Sequence, residues 1–202
     1  MVNRIEHAAR VVLVRDGYES FTTNRVAEQA GVSPGSLYQY FPDKSALVTV
    51  VLDRWSAEIS DRVAASLVAS GPVDVQDPAT IRSIADALLA ALEADAGLLR
   101  IVWEELPAVR HRAAQHALEQ RVRELLAVYL AAAGATSTDP GVRAWVIVMA
   151  VENVAVRWVL DQPPISRDDL LDEFTLLAGG FGAGGAAQRG RPAAGLSGDD
   201  EI

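Results

Sequence analysis

The sequence predicts an all-α protein, a three-helix head followed by a longer helical body, on three observations. Apolar residues recur at three- and four-residue spacing along most of the chain, as at Ile5, Ala8, Ala9, Val12 and Leu13. Helix starts are written locally: a Thr, Ser or Asp able to accept from the unpaired amides of an opening turn stands at Thr22, Ser33, Asp43, Asp77 and Ser166. No stretch alternates apolar and polar with a strand period, and no internal repeat is present.

The first helix carries the Ile5 to Leu13 stripe and is expected to end at Gly17, which leaves helical geometry freely. A second helix opens at Thr22 or Thr23 and runs through Ala30, and Gly31, tolerant of positive φ, supplies the turn after it. Ser33 caps a third helix whose first position is Pro34, where a missing N–H costs nothing. At about 100° per residue, Leu37 and Phe41 share one side of that helix, toward Val26, Ala30 and Val32. Gly35, Ser36 and Gln39 then face the other way, flanked by Tyr38 and Tyr40.

From the Asp43 cap a fourth helix bearing Leu47, Val50, Val51, Arg54 and Trp55 runs past Ile59 toward Val68 and joins head to body. Residues 70–78 collect Gly, Pro and Asp as a loop, and Asp77 with Pro78 opens a helix over 78–94. Further helices are expected over 97–106, 107–133, 140–161 and 167–178, with Pro107 marking a break. From Gly179 the chain is rich in Gly and Ala and closes on acids, a composition that buries too little surface to order itself. The units are therefore drawn at 1–46 for the head, 47–181 for the body and 182–202 for a flexible tail.

A small, hydrogen-bonding helix face suits a groove of duplex DNA. The amide of Gln39 matches an adenine edge, and tyrosine hydroxyls suit phosphate oxygens. The run from Gly17-Tyr18 through Thr22-Thr23, Val26-Ala27 and Ala30-Gly31-Val32-Ser33 to Gly35, Leu37-Tyr38, Tyr40-Phe41 and Lys44-Ser45-Ala46-Leu47 resembles the TetR family of bacterial transcriptional regulators. The resemblance implies a helix-turn-helix DNA-binding head on a helical ligand-binding and dimerisation bundle. By position it makes Thr23 and Lys44 phosphate anchors, Ser33, Pro34, Gly35, Ser36 and Gln39 the groove-facing set, and Tyr38 and Tyr40 backbone contacts. Pro34 stands where the family often has a polar or basic side chain, and it has no donor, so base reading leans on Ser36, Gln39 and nearby backbone.

For the body, the resemblance implies a homodimer joined through its last two helices, with Ala144, Val148, Val151, Ala155, Leu170, Leu171, Phe174 and Leu177 as members. It also implies a small-molecule pocket whose occupancy changes the spacing of the heads. Trp103, Trp145, Met149 and Trp158 are of the kind that lines an apolar cavity. Glu152 and Asn153 interrupt the apolar run AWVIVMAVENVAV, and a buried carboxylate there needs a partner, for which Arg157 is the nearby cation. Intrachain core packing is the alternative for the dimer-face residues and for Trp103, Trp145, Met149 and Trp158, and a place at the dimer interface is the alternative for Glu152 and Asn153. A two-fold dimer sets two reading helices in successive major-groove turns, roughly 34–36 Å apart. The expected partner is thus a double-stranded, pseudo-palindromic DNA operator, and a small, largely apolar effector is expected to release the repressor from it.

The chain's 202 residues, 50% hydrophobic, are ample for a packed core, and with no cysteine there is neither a disulfide nor a thiolate metal site. No metal or cofactor is expected. The apolar runs are short, such as Val11 to Val14 and Trp145 to Val151, and fall far below the roughly 20 residues that span a bilayer, and no signal-peptide core opens the sequence. A cytoplasmic protein without a membrane partner is expected. The net charge is −9, but five bases (Arg4, Arg10, Arg15, Arg25, Lys44) and five acids cancel over residues 1–50, so the excess acid lies downstream. That tilts the effector toward neutral or cationic molecules, a tilt that one buried arginine would reverse. Catalysis is not expected, since His111 and His116 lie about 140° apart on a helix, Glu104 and Glu105 read as solvated charge, and no nucleophile is evident. A helical ligand-binding or protein-interaction module without DNA regulation is the other alternative.

Overall fold

The computed structural model describes residues 1–69, 77–106, 123 and 139–183, and among them there are helices and no strands. Helix α1, Val2–Ser20, buries the expected Ile5, Ala8, Ala9, Val12 and Leu13. Gly17 interrupts α1 rather than ending it. At φ 75°, ψ 169° it takes a conformation closed to other residues, turns the chain, and a last helical turn follows to Ser20.

Helix α2, Thr23–Ala30, starts at Thr22, whose hydroxyl accepts from the Arg25 amide at 3.3 Å, and stops at Gly31 in the left-handed region, φ 62°. Helix α3, Pro34–Tyr38, starts at Ser33, whose Oγ accepts from the Ser36 amide at 3.1 Å. Helix α4, Lys44–Ala69, is capped by Asp43, which accepts from the Ala46 amide at 2.8 Å, and it passes position 46/47 without a break. Helix α5, Pro78–Ala94, is capped by Asp77, which accepts from the Ala79 amide at 3.1 Å.

The segment expected as one helix over 97–106 is two pieces, a short α6, Ala96–Arg100, and a π-helical turn, Ile101–Glu105, closed by Leu106 N–H donating to Ile101 O at 3.0 Å. A π turn holds one residue more than an α turn, so the side chains after it leave the α register. The helix expected over 107–133 lies outside the described residues, Arg123 apart. Helix α7, Pro140–Asp161, starts at an Asp139 cap, and Gln162 closes it in the left-handed region. Helix α8, Arg167–Ala183, is capped by Ser166, which accepts from the Asp169 amide at 3.1 Å. It extends five residues past the expected end at 178, since each glycine in a helix costs only about 1 kcal/mol and an existing helix propagates cheaply. The expected tail thus begins inside α8, and its remainder lies outside the described residues.

One core runs through head and body. Leu47, Val48, Val51, Leu52, Trp55 and Ile59 of α4 are buried in the same cluster as Ile5, Leu13 and Leu37 of the head and Leu89, Leu98 and Val102 of the body. Each such side chain contributes about 1.5–3 kcal/mol by leaving water, so head and body stabilise one another through α4. Outside the core, Arg82 pairs with Asp168 at 2.7 Å and with Asp172, and Arg167 pairs with Asp86 at 2.8 Å and with Glu93, fastening α8 to α5.

Candidate nucleic-acid interface

Leu37, fully buried, and Phe41 hold α3 against the head, which turns its opposite side to solvent. Ser33, Pro34, Gly35, Tyr38, Gln39 and Tyr40 are exposed there and Ser36 is half-buried, so the expected groove-facing set lies on one open surface. Tyr38 and Tyr40 are 49% and 47% exposed, unusual for rings this size unless something covers them. A side chain at Gly35 would meet nothing nearer than Ser33 Oγ at 3.9 Å, so nothing within the chain demands glycine there. What its absent side chain provides is close approach from outside.

The polar groups are already aligned. Thr23 Oγ1 and the Tyr38 hydroxyl share a hydrogen bond at 2.9 Å, tying the start of α2 to the end of α3. Ser33 and Ser36 hydroxyls share another at 2.9 Å, which commits part of the bonding capacity of Ser36 to the helix cap. Lys44 stands apart from the open face. Its Nζ donates to the Tyr18 carbonyl at 2.5 Å and lies 4.0 Å from the centroid of the Tyr18 ring, so in this structure it fastens α4 to the end of α1.

Beside α2, Asp16 accepts from Arg15 Nε at 2.7 Å and from Arg25 Nη1 at 3.0 Å. The Arg15 hydrogen bond and charge, with those of Arg25, outweigh desolvation and hold the Asp16 carboxyl down at about 2. Arg25, half-exposed, is a cation at the edge of the open face that sequence reasoning left out of the site.

In the body, the side chains expected around a ligand differ in exposure, and Trp158 is half-buried against the core with its indole N–H donating to Ile165 O at 2.9 Å. Trp103 packs on the core, Met149 and Glu152 are half-buried, and Trp145 and Asn153 are exposed, with the Asn153 amide donating to Met149 O at 3.0 Å. Arg157, expected to neutralise Glu152, pairs with Asp161 at 3.8 Å instead, one turn further along α7. A cleft of about 270 Å³ does exist, but between α1 and α4, among Glu6, His7, Arg10, Arg54 and Glu58. Two donors in the body went unnoticed in the sequence. Arg143 is only 8% exposed and has no ion-pair partner among the described residues, and the buried Trp55 Nε1 has no hydrogen-bond partner among them either.

Of the expected dimer face, Ala155, Leu170, Leu171 and Phe174 lie in the chain's own core. These four therefore pack within the protomer, because the side of α7 and α8 that meets the rest of the body is apolar too. Ala144 is buried beside Ile147, and Val148, Val151 and Leu177 are half-buried. The apolar side chains that α7 leaves in solvent are Val142, Trp145, Val146 and Val154. Among the described residues, no group of three or more His, Asp or Glu could hold a metal ion, and no helix is long and apolar enough to cross a membrane.

A capped, glycine-turned helix pair with an open polar face, seated on an all-helical body, defines a helix-turn-helix protein. Comparison with known proteins narrows the class. The sequence pattern of bacterial regulatory proteins of the tetR family matches residues 5–51, and that of the tetracyclin repressor-like C-terminal domain matches residues 78–181. The chain belongs to the TetR family. It is 30% identical over 133 residues to the uncharacterized HTH-type transcriptional regulator YvkB of Bacillus subtilis, an alignment covering 65% of this chain and 66% of YvkB. Other curated relatives, from Staphylococcus aureus, are matched over only 28% of their length. Among solved structures, the fatty acid degradation regulator FadR of Bacillus halodurans superposes with TM-score 0.67 at 21% identity, over 88% of this chain and 94% of FadR. The multidrug binding protein EbrR, complexed with imidazole, superposes with TM-score 0.64 at 22% identity, over 87% and 93%. Both likenesses are of fold.

Proposed function

We propose that this protein is a sequence-specific DNA-binding transcriptional regulator, a cytoplasmic homodimeric repressor that leaves a pseudo-palindromic operator when a small molecule binds its body. The observation that carries the reading is the α3 surface. A helix held from behind by Leu37 and Phe41 presents Gly35, Ser36 and Gln39 beside Pro34 and between two half-exposed tyrosines. That combination fits a major groove, where Gln39 reads a base edge while Tyr38, Tyr40 and Thr23 bond phosphates. Catalysis has no comparable support, and no cofactor is required.

The effector reading rests on Arg143 and Trp55. Arg143 is a buried residue with no ion-pair partner among the described residues, and the buried Trp55 indole N–H has no hydrogen-bond partner among them, so a ligand bearing acceptors would offset the cost of burying each. Arg143 therefore reverses the tilt set by the acidic body: a mostly apolar molecule with an anionic group is favoured. The described functions of FadR and EbrR, fatty acid degradation and multidrug binding, are consistent with apolar effectors. Release then follows from linkage, since an effector preferring the spacing that does not fit the operator weakens DNA binding by its own differential affinity.

Selection of bound duplexes from a random-sequence pool tests the reading. Enrichment of an inverted repeat, with half-sites about one helical turn or more between centres, is expected. A pool that stays random through successive rounds would refute it.

A further inference from the structure

At Tyr18, head, connecting helix and body meet through bonds to one residue's backbone. Gly17 breaks α1 just before it, so the Tyr18 N–H leaves the helical ladder, and Glu105 Oε2 accepts it at 2.7 Å across 87 residues of sequence. On the other side of the residue, the Tyr18 carbonyl accepts from Lys44 Nζ of α4. The approach is built closely. A side chain at Gly17 would come within 2.9 Å of Glu105 Oε2, and one at Gly97 within 3.0 Å of Val14 Cγ1, so two glycines, one on each side, let α1 sit against the 96–105 segment. Alongside, Arg10 of α1 pairs with Glu58 of α4 at 2.7 Å and with Asp95, just before α6, at 2.5 Å.

Glu105 also sits on the π turn, a departure from α-helix within the described body. The i to i+5 bond from Leu106 N–H to Ile101 O closes that turn, and Trp103 within it packs on the core. A π turn relaxes to α by shedding one residue of register, which swings its last side chains by about 100°. Glu105 is among them. It would lose Tyr18 in that rearrangement.

Resting on the regulator reading above, we propose that Glu105 is the positioning residue by which the body sets the orientation of the reading head, a carboxylate latch on the Tyr18 amide that opens when the 101–105 turn changes register. Glu105 touches no DNA. It acts through Tyr18 and Lys44, and through them on the start of α4 and the head packed upon it.

The test uses the full-length protein with Glu105→Ala and Glu105→Gln. The glutamine keeps a carbonyl acceptor for the Tyr18 N–H, and the alanine removes it. Amide hydrogen exchange of the Gly17–Phe21 segment is expected to accelerate about tenfold or more in Glu105→Ala, the loss of a charge-assisted bond to an amide outside the helical ladder, and to return most of the way in Glu105→Gln. On the selected duplex, Glu105→Ala should change affinity at least threefold while dimer mass and helicity stay put, with Glu105→Gln near wild type. Wild-type exchange in Glu105→Ala overturns the latch, as does unchanged affinity for the duplex. The exchange arm needs no DNA, so a wild-type protein that selects no operator defeats the regulator reading without silencing the test of the latch.

Discussion

Gln39 and Tyr40 divide the work of the reading face, and their variants should fail differently. Gln39→Ala removes a base contact, so preference for the selected duplex over random DNA is expected to fall by about 1–3 kcal/mol with non-specific affinity little changed. Tyr40→Ala removes a phosphate contact and should weaken both DNAs alike. Competition anisotropy with the two duplexes separates the outcomes, and a Gln39→Ala protein with full preference would remove that residue from the site. Behind the face, the conformational residues carry stability. Ser33→Ala should cost about 1 kcal/mol by leaving the Ser36 amide without its cap. Gly31→Ala should cost about 1–2 kcal/mol from its left-handed backbone alone, since no atom lies within 4 Å of the added methyl. Thermal melts of both variants check these values. Asp16 sets a pH signature. Its carboxyl is held down at about 2 from an ordinary 3.8, so its pairing with Arg15 and Arg25 stabilises the fold above about pH 4 and is lost as the pH falls through about 2. The gap in melting temperature between wild type and Asp16→Asn should narrow over that window, and a gap indifferent to pH would contradict the pairing.

Helix starts were legible because capping is local: Thr22, Ser33, Asp43, Asp77 and Ser166 each accept the amides that their spacing in sequence foretells. The outward and inward sides of α3 were legible for the same reason, since five residues of helix leave little freedom once Leu37 is inside. What sequence missed depends on partners distant along the chain. The π turn at Ile101–Glu105 carries no composition signal, and Glu105 reads as a solvated charge until α1 arrives beside it. Lys44 resembles a phosphate anchor by position, and its bond to the Tyr18 carbonyl is a further contact, which depends on how α4 crosses α1. Periodicity gives α7 and α8 apolar sides without telling which side meets the same chain, and Leu170, Leu171 and Phe174, expected at a partner, are buried within the protomer. The α1, α4 and α6 junction carries its own prediction. Burial opposes the charge on Glu58, but its hydrogen bonds from Arg10 and Arg54 outweigh that and lower its pKa, so the junction is stabilising above the ordinary carboxylate range and weakens as pH drops through it. Arg10→Met leaves Glu58 and Asp95 without this cation and should cost about 1–2 kcal/mol, discounted for their partial exposure, in denaturant melts at neutral pH.

At the scale of the molecule, a head of balanced charge rides on an acidic body, so the protein is expected to hold DNA through few ionic contacts and much shape and hydrogen bonding. A plot of log affinity against log salt should be shallow, with a slope no steeper than about −4 for a dimer that neutralises roughly two phosphates per head. A slope near −8 would mean a basic surface that the described residues do not display. The acidic body also repels DNA that approaches from the wrong side, which favours encounters led by the head. Because a single core joins head and body through α4, repacking within the body reaches the head, which is the route the proposed effector would use. All of this rests on α3 being the surface that reads DNA. The most direct measurement is fluorescence anisotropy of purified wild-type and Tyr40→Ala protein on the selected duplex and on a scrambled duplex at matched salt. Clear preference and two protomers per duplex are expected for wild type, with binding to both duplexes weakened in Tyr40→Ala at unchanged helicity and dimer mass. Equal binding of both duplexes by wild type, or undiminished binding by Tyr40→Ala, would contradict the assignment of α3.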